Sequence, residues 1–379
     1  MQSVIIGWQI YYLTHDALSL GMIGLTEIIP FFMVVLFAGH LADIKSRKMI
    51  IINSVVLYSA GVAAILLLTT VFSHYLAVHS VFPLYVVIFF TGMARGFMSP
   101  SQTALFAQLV PRELLGNAST WNSATWQISA VSGPAIGGLV CGFFGFGPAY
   151  SVVLVFLLFG IISLIFVKNK PIPEKTKTET IWESLTAGIK YVFNNQIILS
   201  AVSLDMFAVF FGGAICVLPI FADQILHIGA EGLGFLRAAP AVGAIFMSVG
   251  QAFHPQFKNA GRNLLFCIAG FGVTTILFAI SESFYLSFIM LMIGGMFDNV
   301  SVVIRATIIQ LFTPDEMRGR VASVNSVFIG SSNELGSFES GVAAKIMGLV
   351  PSVIFGGSMT ILVVAAVRKL APKLKALKL

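Results

Sequence analysis

The chain has 379 residues, of which 57% are hydrophobic and only 10% charged. Soluble domains carry about 25% charged residues, so a soluble globular class is excluded. The net charge of +6 reads as topology, because 18 of the 22 Lys and Arg residues fall on one side of a series of long apolar runs. It therefore argues for neither a nucleic-acid partner nor an acidic substrate, and adds only some attraction to anionic lipid.

In chain order, the runs predict helices near 1–13, 20–42, 49–72, 82–108, 118–143, 148–167, 197–222, 232–253, 263–281, 284–311, 320–345 and 350–370. The first is shorter than the roughly 20 residues that a spanning helix needs. Met1 begins inside it, so either the natural start lies upstream or this is half a helix. Lys45, Arg47 and Lys48 share one gap, and Arg112 lies in the next basic one. Lys168, Lys170, Lys175, Lys177 and Lys190 follow, then Lys258 with Arg262 and Arg318 with Arg320. The last basic group is Arg368, Lys369, Lys373, Lys375 and Lys378. The intervening gaps lack Lys and Arg, and Lys345 alone sits near an opposite end. Cytoplasmic loops carry the positive excess, which puts the basic gaps and both termini in the cytoplasm. The alternation holds only if the short first run is counted as a helix.

Between the sixth and seventh helices, the segment 168–196 opens polar and Pro-containing, as linkers do. Ile181, Trp182, Leu185, Ile189, Val192 and Phe193 then recur at helical spacing, which predicts an amphipathic helix lying on the cytoplasmic face. The expected organisation is a six-helix half over 1–168, a linker over 169–196 and a second six-helix half over 197–379. The polybasic C-terminal segment is expected to rest on anionic lipid.

The two halves carry matching residues. IGLTEIIP (23–30) aligns with LGFLRAAP (233–240), and Asn122, Gly133 and Gly138 correspond to Asn325, Gly336 and Gly341. Parallel repeats imply a pseudo-twofold axis along the membrane normal and a binding site at the interface, near the midplane. Cys141, Cys216 and Cys267 all lie in apolar runs without metal-ligand spacing. No phosphate-binding loop is present. No cofactor and no metal are expected, and no nucleophile–base constellation suggests an enzyme.

GHLADIKSRK (39–48), with Gly39, Asp43, Arg47 and Lys48, resembles the loop signature of the major facilitator superfamily in place, spacing and side. SGPAIGG (132–138) resembles the core of that superfamily's antiporter motif through Gly133, Pro134, Gly137 and Gly138, although Thr120 and Ser129 replace its upstream glycines. Longer stretches, such as ARGFMSPSQTALFAQLVPRELLGNASTWNSATWQ and TPDEMRGRVASVNSVFIGSSNELG, resemble the enterobactin-exporter-like branch of bacterial drug/proton antiporters. The resemblance implies an all-α bundle of 12 transmembrane helices in two six-helix repeats, with the first helix truncated. It implies gating by the loop motif and proton-coupled export, by alternating access, of a small amphipathic molecule such as a siderophore or hydrophobic drug. The expected partners are that small molecule, protons and lipid, and the expected setting is a multi-pass monomer in a bacterial cytoplasmic membrane. A non-transporting sensor on the same scaffold is the alternative; it would bind ligand without proton-dependent flux.

Eight ionisable residues fall within the predicted spans: Glu27, Arg95, Asp205, Arg237, Asp298, Arg305, Glu334 and Glu339. Each costs about 2.5–3.5 kcal/mol at a helix centre on insertion scales. Arg95, Asp298 and Glu334 are expected nearest the midplane, Asp205 and Arg305 nearer the cytoplasm, and Glu27, Arg237 and Glu339 nearer the outside. Asp205 and Arg305 lie at similar depth and could pair. Five acids against three arginines leave acids over, and a desolvated carboxyl group can take up a proton near neutral pH. Asp298 and Glu334, then Glu27 and Glu339, are the proton-coupling candidates, with Asp205 a further one. Arg95, Arg305 and Arg237 are the charge partners. Amphipathic aromatics beside amides suit a large, partly aromatic ligand, which nominates Gln2, Trp8, Gln9 and Tyr12 on the first helix. Trp121, Asn122, Trp126 and Gln127 are nominated on the fifth, and Asn325 and Asn333 on the eleventh. The topology is testable: cysteines placed at Lys177 and Lys375 are expected to resist an impermeant thiol reagent applied outside intact cells, and labelling at either position overturns the assignment.

Overall fold

The computed structural model describes residues 1–78, 80–111, 114–168, 181–253, 259–314 and 317–378, and every regular element among them is helical. Twelve of the helices build the bundle. The first six are α1 (Gln2–Thr14), α2 (Ala17–Ile44), α3 (Arg47–Thr70), α5 (Phe82–Leu109), α6 (Leu115–Phe144) and α7 (Phe146–Phe166), with the short α4 (Ser73–Val78) in a connection. The second six are α9 (Gln196–Gly212), α11 (Ala230–Phe253), α12 (Ala260–Ala279), α13 (Phe284–Phe312), α14 (Arg318–Met347) and α15 (Leu349–Leu370). Nine of these are long and apolar enough to cross a membrane by themselves. The other three fail for separate reasons: α1 has 13 residues and α9 has 17, while α14 is the least hydrophobic of the long helices.

The seventh run departs from the expected continuous helix over 197–222. The α-helix stops at Gly212, and the chain passes through Gly213 before α10 (Leu218–Ile220) and a π turn over Phe221–Ile225. Two adjacent glycines and Pro219, which lacks an N–H donor, make this the weak point of the run. The freed backbone is sheltered: Val217, Leu218, Phe221 and Ala222 are fully buried. Irregular backbone at such depth is tolerated only where protein or a cavity covers it.

The predicted amphipathic helix is present as α8 (Ile181–Asn194), and it meets α9 at a bend of 99°. Its predicted apolar residues divide. Ile189 and Phe193 are exposed, but Val192 is buried, and the Tyr191 hydroxyl donates to the carbonyl of Phe312 at 2.6 Å. A Cβ at Gly188 would lie 3.0 Å from the backbone of Arg320, so α8 is docked on α14 through one side. Trp182 and Leu185 have side chains outside the described residues. The C-terminal basic segment, expected to rest on anionic lipid, is also anchored on protein through one apolar residue. Leu374 in α16 (Pro372–Lys375) is fully buried and packs against α12 at Gly261.

The packing pattern of the first six helices recurs in the second six. α2 packs on α5 and α3 on α7, as α11 packs on α13 and α12 on α15. Gly145 and Gly348 both turn the chain in the positive-φ region, at 83° and 89°, to start α7 and α15. Between the groups, α6 crosses α11 and α14 crosses α2. A Cβ on Gly138 would lie 2.5 Å from the Cα of Gly234, and one on Gly341 would lie 2.7 Å from the Cα of Gly21. These are backbone-to-backbone contacts that only small residues permit. The two crossings set Gly21 against Gly234 as equivalents, and the contacts of Gly92 with Glu27 and of Gly295 with Pro240 keep the same register. That register lies three residues from the alignment of Gly24 with Gly234, close to one helical turn.

Both crossings lie at the end of the bundle away from the basic loops. A polar layer joins the two groups there: the Tyr11 hydroxyl donates to Asp223 at 2.8 Å, and Lys345 pairs with Asp16 at 3.3 Å. Asp16 also caps α2, accepting from the amide and hydroxyl of Ser19 at 2.9 and 3.0 Å. Burial alone would raise its carboxyl; the two Ser19 bonds and then Lys345 outweigh that and hold it below the ordinary carboxylate range. From this end α2 and α14 diverge. A Cβ at Gly330, three turns back from Gly341, would find its nearest neighbour, a ring atom of Phe31, at 4.0 Å. On α6, residues 121–129 are exposed in unbroken sequence except for Gln127. Gly341→Val and Gly138→Val are each expected to force their crossing apart, with overpacking costing about 1–3 kcal/mol. A lowered thermal midpoint in detergent, with faster thiol labelling of a cysteine introduced at Ser337, would report it; unchanged values for both would show that the crossings do not form the seal.

Candidate functional site

The divergence leaves a cavity of about 680 Å3 between the two groups of helices. Its walls come from α1 (Gln2, Ser3), α2 (Gly24, Glu27) and α5 (Arg95), and from the broken stretch after α9 (Gly213–Cys216). α11 adds Arg237, α12 adds Phe271 and Phe278, α13 adds Leu291 and Asp298, and α14 adds Asn333, Glu334 and Ser337. Five of the eight predicted intramembrane charges therefore converge on one space: Glu27, Arg95, Arg237, Asp298 and Glu334.

Their partners differ. Arg95 donates to Glu27 across α5 and α2, so Glu27 lies at the level of Arg95 and not nearer the outside as expected. Gly92, one turn from Arg95, makes this possible by seating α5 against the backbone of Glu27. Glu334 makes no ion pair or hydrogen bond among the described residues, but lies within the Coulombic reach of Arg95 and Arg237. Asp298 has no ion-pair or hydrogen-bond partner among them either. Although deep within the bundle, its side chain is exposed to the cavity. Arg237 donates to the Ser3 hydroxyl at 3.4 Å and to the carbonyl of Ile215 at 3.3 Å, both long, and its buried Nε has no partner among the described residues.

The remaining charges lie apart. Asp205 and Arg305 form an ion pair between α9 and α13 with both side chains at least 93% buried. Asp205 does not line the main cavity; it borders only a small void shared with Asp298 and Ser301. The predicted pairing is found, and it occupies the carboxylate that was also a proton-coupling candidate. Glu339 is half-buried on α14 and outside the cavity wall.

The predicted ligand contacts separate sharply. Gln2 and Asn333 line the cavity, the Gln2 Oε1 without a partner and the Asn333 amide donating to the carbonyl of Ile329 at 2.9 Å. Gln9 does not reach it. Its amide donates to Thr69 at 2.9 Å and accepts from Tyr150 at 2.7 Å, tying α1 to α3 and α7. Trp8 packs into the apolar core, and Tyr12, 60% exposed, lies outside against Phe146. Trp121, Asn122, Trp126 and Gln127 sit on the exposed stretch of α6 outside the cavity wall, and Asn325 is outside it too. The sequence reading missed Phe271, Phe278 and Gly213–Cys216. The Gly212-Gly213 pair within an apolar run was the available signal for the last.

Of the loop motif, Gly39 and Asp43 have side chains outside the described residues; their backbone belongs to the end of α2. The Arg47 guanidinium donates to the carbonyl of Ala104 at 3.0 Å, fastening α3 to α5. Lys48 donates to the carbonyls of Ile165 and Val167 at 2.9 and 2.7 Å, satisfying the end of α7. In the second motif, Gly133 and Gly137 seat the backbone of Met1, while Pro134 and Gly138 form the crossing with Gly234.

A twelve-helix bundle with paired crossings and a charged central cavity is the architecture of a major facilitator transporter. The model of the transmembrane secretion effector family matches residues 1–378, and the chain belongs to that family. It is a multi-pass membrane secondary transporter, not an enzyme. The chain is 24% identical over 316 residues to the enterobactin exporter EntS of Shigella dysenteriae serotype 1 (strain Sd197), covering 83% of this chain and 74% of that one. It is 25% identical over the same length and coverage to EntS of Escherichia coli O81 (strain ED1a). Among solved structures, a bacterial homologue of the human lysosomal transporter Spinster, inward-facing and unoccupied, superposes with a TM-score of 0.75 at 14% identity, over 98% of this chain and 93% of that one. A POT family transporter in complex with 5-aminolevulinic acid gives 0.74 at 14% identity, over 98% and 92%. These likenesses establish the fold.

The buried pair generates a stability test. Asp205→Asn strands the Arg305 charge, and removing one partner of a buried pair costs about 3–5 kcal/mol. It is expected to collapse yield and thermal stability, whereas combining Asp205→Asn with Arg305→Met recovers most of both. A single variant of wild-type stability would remove this pair from the fold's supports.

Proposed function

We propose that the protein is a proton-coupled exporter of a small amphipathic molecule, working by alternating access from the bacterial cytoplasmic membrane. The observation that carries this reading is that Asp298 and Glu334 reach one central cavity without ion-pair partners among the described residues, while Glu27 and Asp205 are each held by an arginine. A carboxyl group in that position can exchange a proton as the cavity changes sides. The likeness to enterobactin exporters supports export and a siderophore-like or drug-like cargo.

The two groups of six helices, 1–168 and 197–379, are the moving bodies in this proposal, and the segment 169–196 connects them. With the basic loops and both chain ends on the cytoplasmic side, the crossings and the Asp16–Lys345 pair close the outer end. The cavity then opens inward beside the exposed stretch of α6, where Trp121, Asn122 and Trp126 meet cargo on entry. Opening outward parts Gly21 from Gly341 and Gly138 from Gly234.

Flux from proteoliposomes with an imposed pH gradient tests the reading. Asp298→Asn and Glu334→Gln are the diagnostic variants. The variant lacking the carrier is expected to lose uphill, gradient-driven export and to keep downhill exchange. Gradient-driven export at the wild-type rate in both variants excludes these carboxyls as carriers. Ligand binding by the wild type without any gradient-dependent flux instead favours a sensor.

A further inference from the structure

Two residues of the cavity wall each carry an occluded polar atom without a partner among the described residues: Arg237 at Nε and Gln2 at Oε1. A buried donor or acceptor left unmade forfeits about 1–3 kcal/mol, and a cationic donor is the costlier one to strand. Arg237 is poorly served in its other bonds as well. Those to Ser3 and Ile215 are 3.4 and 3.3 Å long, against about 2.7–2.9 Å for a well-made charge-assisted bond. Arg95, on the facing side, has a carboxylate of its own in Glu27. Arg237 has none in direct contact among the described residues; Glu334 acts on it through space. The same cavity wall carries apolar surface from Phe271, Phe278, Leu291 and Pro219.

We propose that Arg237 is the anion-recognition residue of the cavity, and that the cargo is an acidic amphipath whose oxyanion docks on the guanidinium while its apolar body lies on Phe271, Phe278 and Leu291. The planar fork of Arg presents parallel N–H donors that match a carboxylate, and Nη1 and Nη2, held only by the two long bonds, can turn to present that fork. The Gln2 amide lies on the same cavity wall and can turn to bond a hydroxyl or amide beside the acid. Glu334 is the internal competitor: while ionised it shares the field of Arg237 and repels an incoming anion, and when neutral it admits one. The inference rests on the reading of this cavity as the cargo site and names the class of cargo.

Binding without flux tests it, so that loss of proton coupling and loss of anion recognition are told apart. Purified protein in nanodiscs is titrated with 2-naphthoate and with its neutral isostere 2-naphthamide, with empty nanodiscs subtracted. The wild type is expected to hold the carboxylate at least about tenfold more tightly, the scale of one charge-assisted hydrogen bond. Arg237→Gln should erase the preference while leaving amide binding intact, and Arg237→Lys should keep part of it. Glu334→Gln, which leaves Arg237 in place, should strengthen carboxylate binding several-fold. Equal affinity for the two probes, no binding of either, or a preference that survives Arg237→Gln would each overturn the assignment. Should Arg237→Gln fail to fold, unchanged carboxylate affinity in Glu334→Gln overturns it instead.

Discussion

Charge within hydrocarbon must be paired, neutralised or given water, and the arrangement of this bundle follows from that constraint. Asp205 and Arg305 satisfy it by mutual burial, which locks α9 to α13. Glu27 and Arg95 satisfy it across α2 and α5 while remaining at the cavity wall. Asp298, Glu334 and Arg237 are left to the cavity. Helices α3, α6, α7, α12 and α15 carry no Asp, Glu, Lys or Arg in mid-span. A single apolar chain thus sorts its helices into those that can face lipid and those that must face one another.

Glycine supplies the second half of the construction. Polar side chains draw helices together only if the backbones can approach, and the small residues at the α6–α11 and α14–α2 crossings allow it. At the same end, buried apolar side chains from both groups, among them Tyr11, Leu20, Leu218, Phe221 and Ala344, pack in one cluster beside the crossings. Tyr11 with Asp223, and Asp16 with Lys345, then form a thin polar layer over backbone contacts. The closed end is thus built in three parts: backbone crossings, an apolar cluster and a polar layer.

The fold was legible because its signals are long-range in composition. Apolar runs, one-sided basic residues and repeated Gly-Pro patterns locate twelve helices without knowledge of contacts. The local break after Gly212 was not legible, because hydropathy averages over the very residues that interrupt the helix. For the site, depth along a span grouped Arg95, Asp298 and Glu334, which do line one cavity, but placed Glu27 and Arg237 elsewhere, and both line it as well. Helical spacing did not predict orientation. Gln9 shares a face of α1 with Gln2, yet it is taken up by Thr69 and Tyr150, because the wall of a cavity is set by how neighbouring helices tilt. The register of α2 against α11 was one turn astray for a related reason: short matches among Gly and Pro fit at more than one phase, and only the crossings select between them.

The backbone seal at Gly21 and Gly341 also bears on leakage. Water threads a membrane protein along hydroxyls, amides and carboxylates, and protons hop along such threads. A contact of Cα against Cα, 3.1 Å from where a Cβ of Gly21 would stand, offers neither room for a water molecule nor a side chain to hold one. Helix carbonyls there are already engaged within their own turns. At this point the crossing therefore interrupts any such thread between the ionisable groups of the cavity and the polar layer at the closed end.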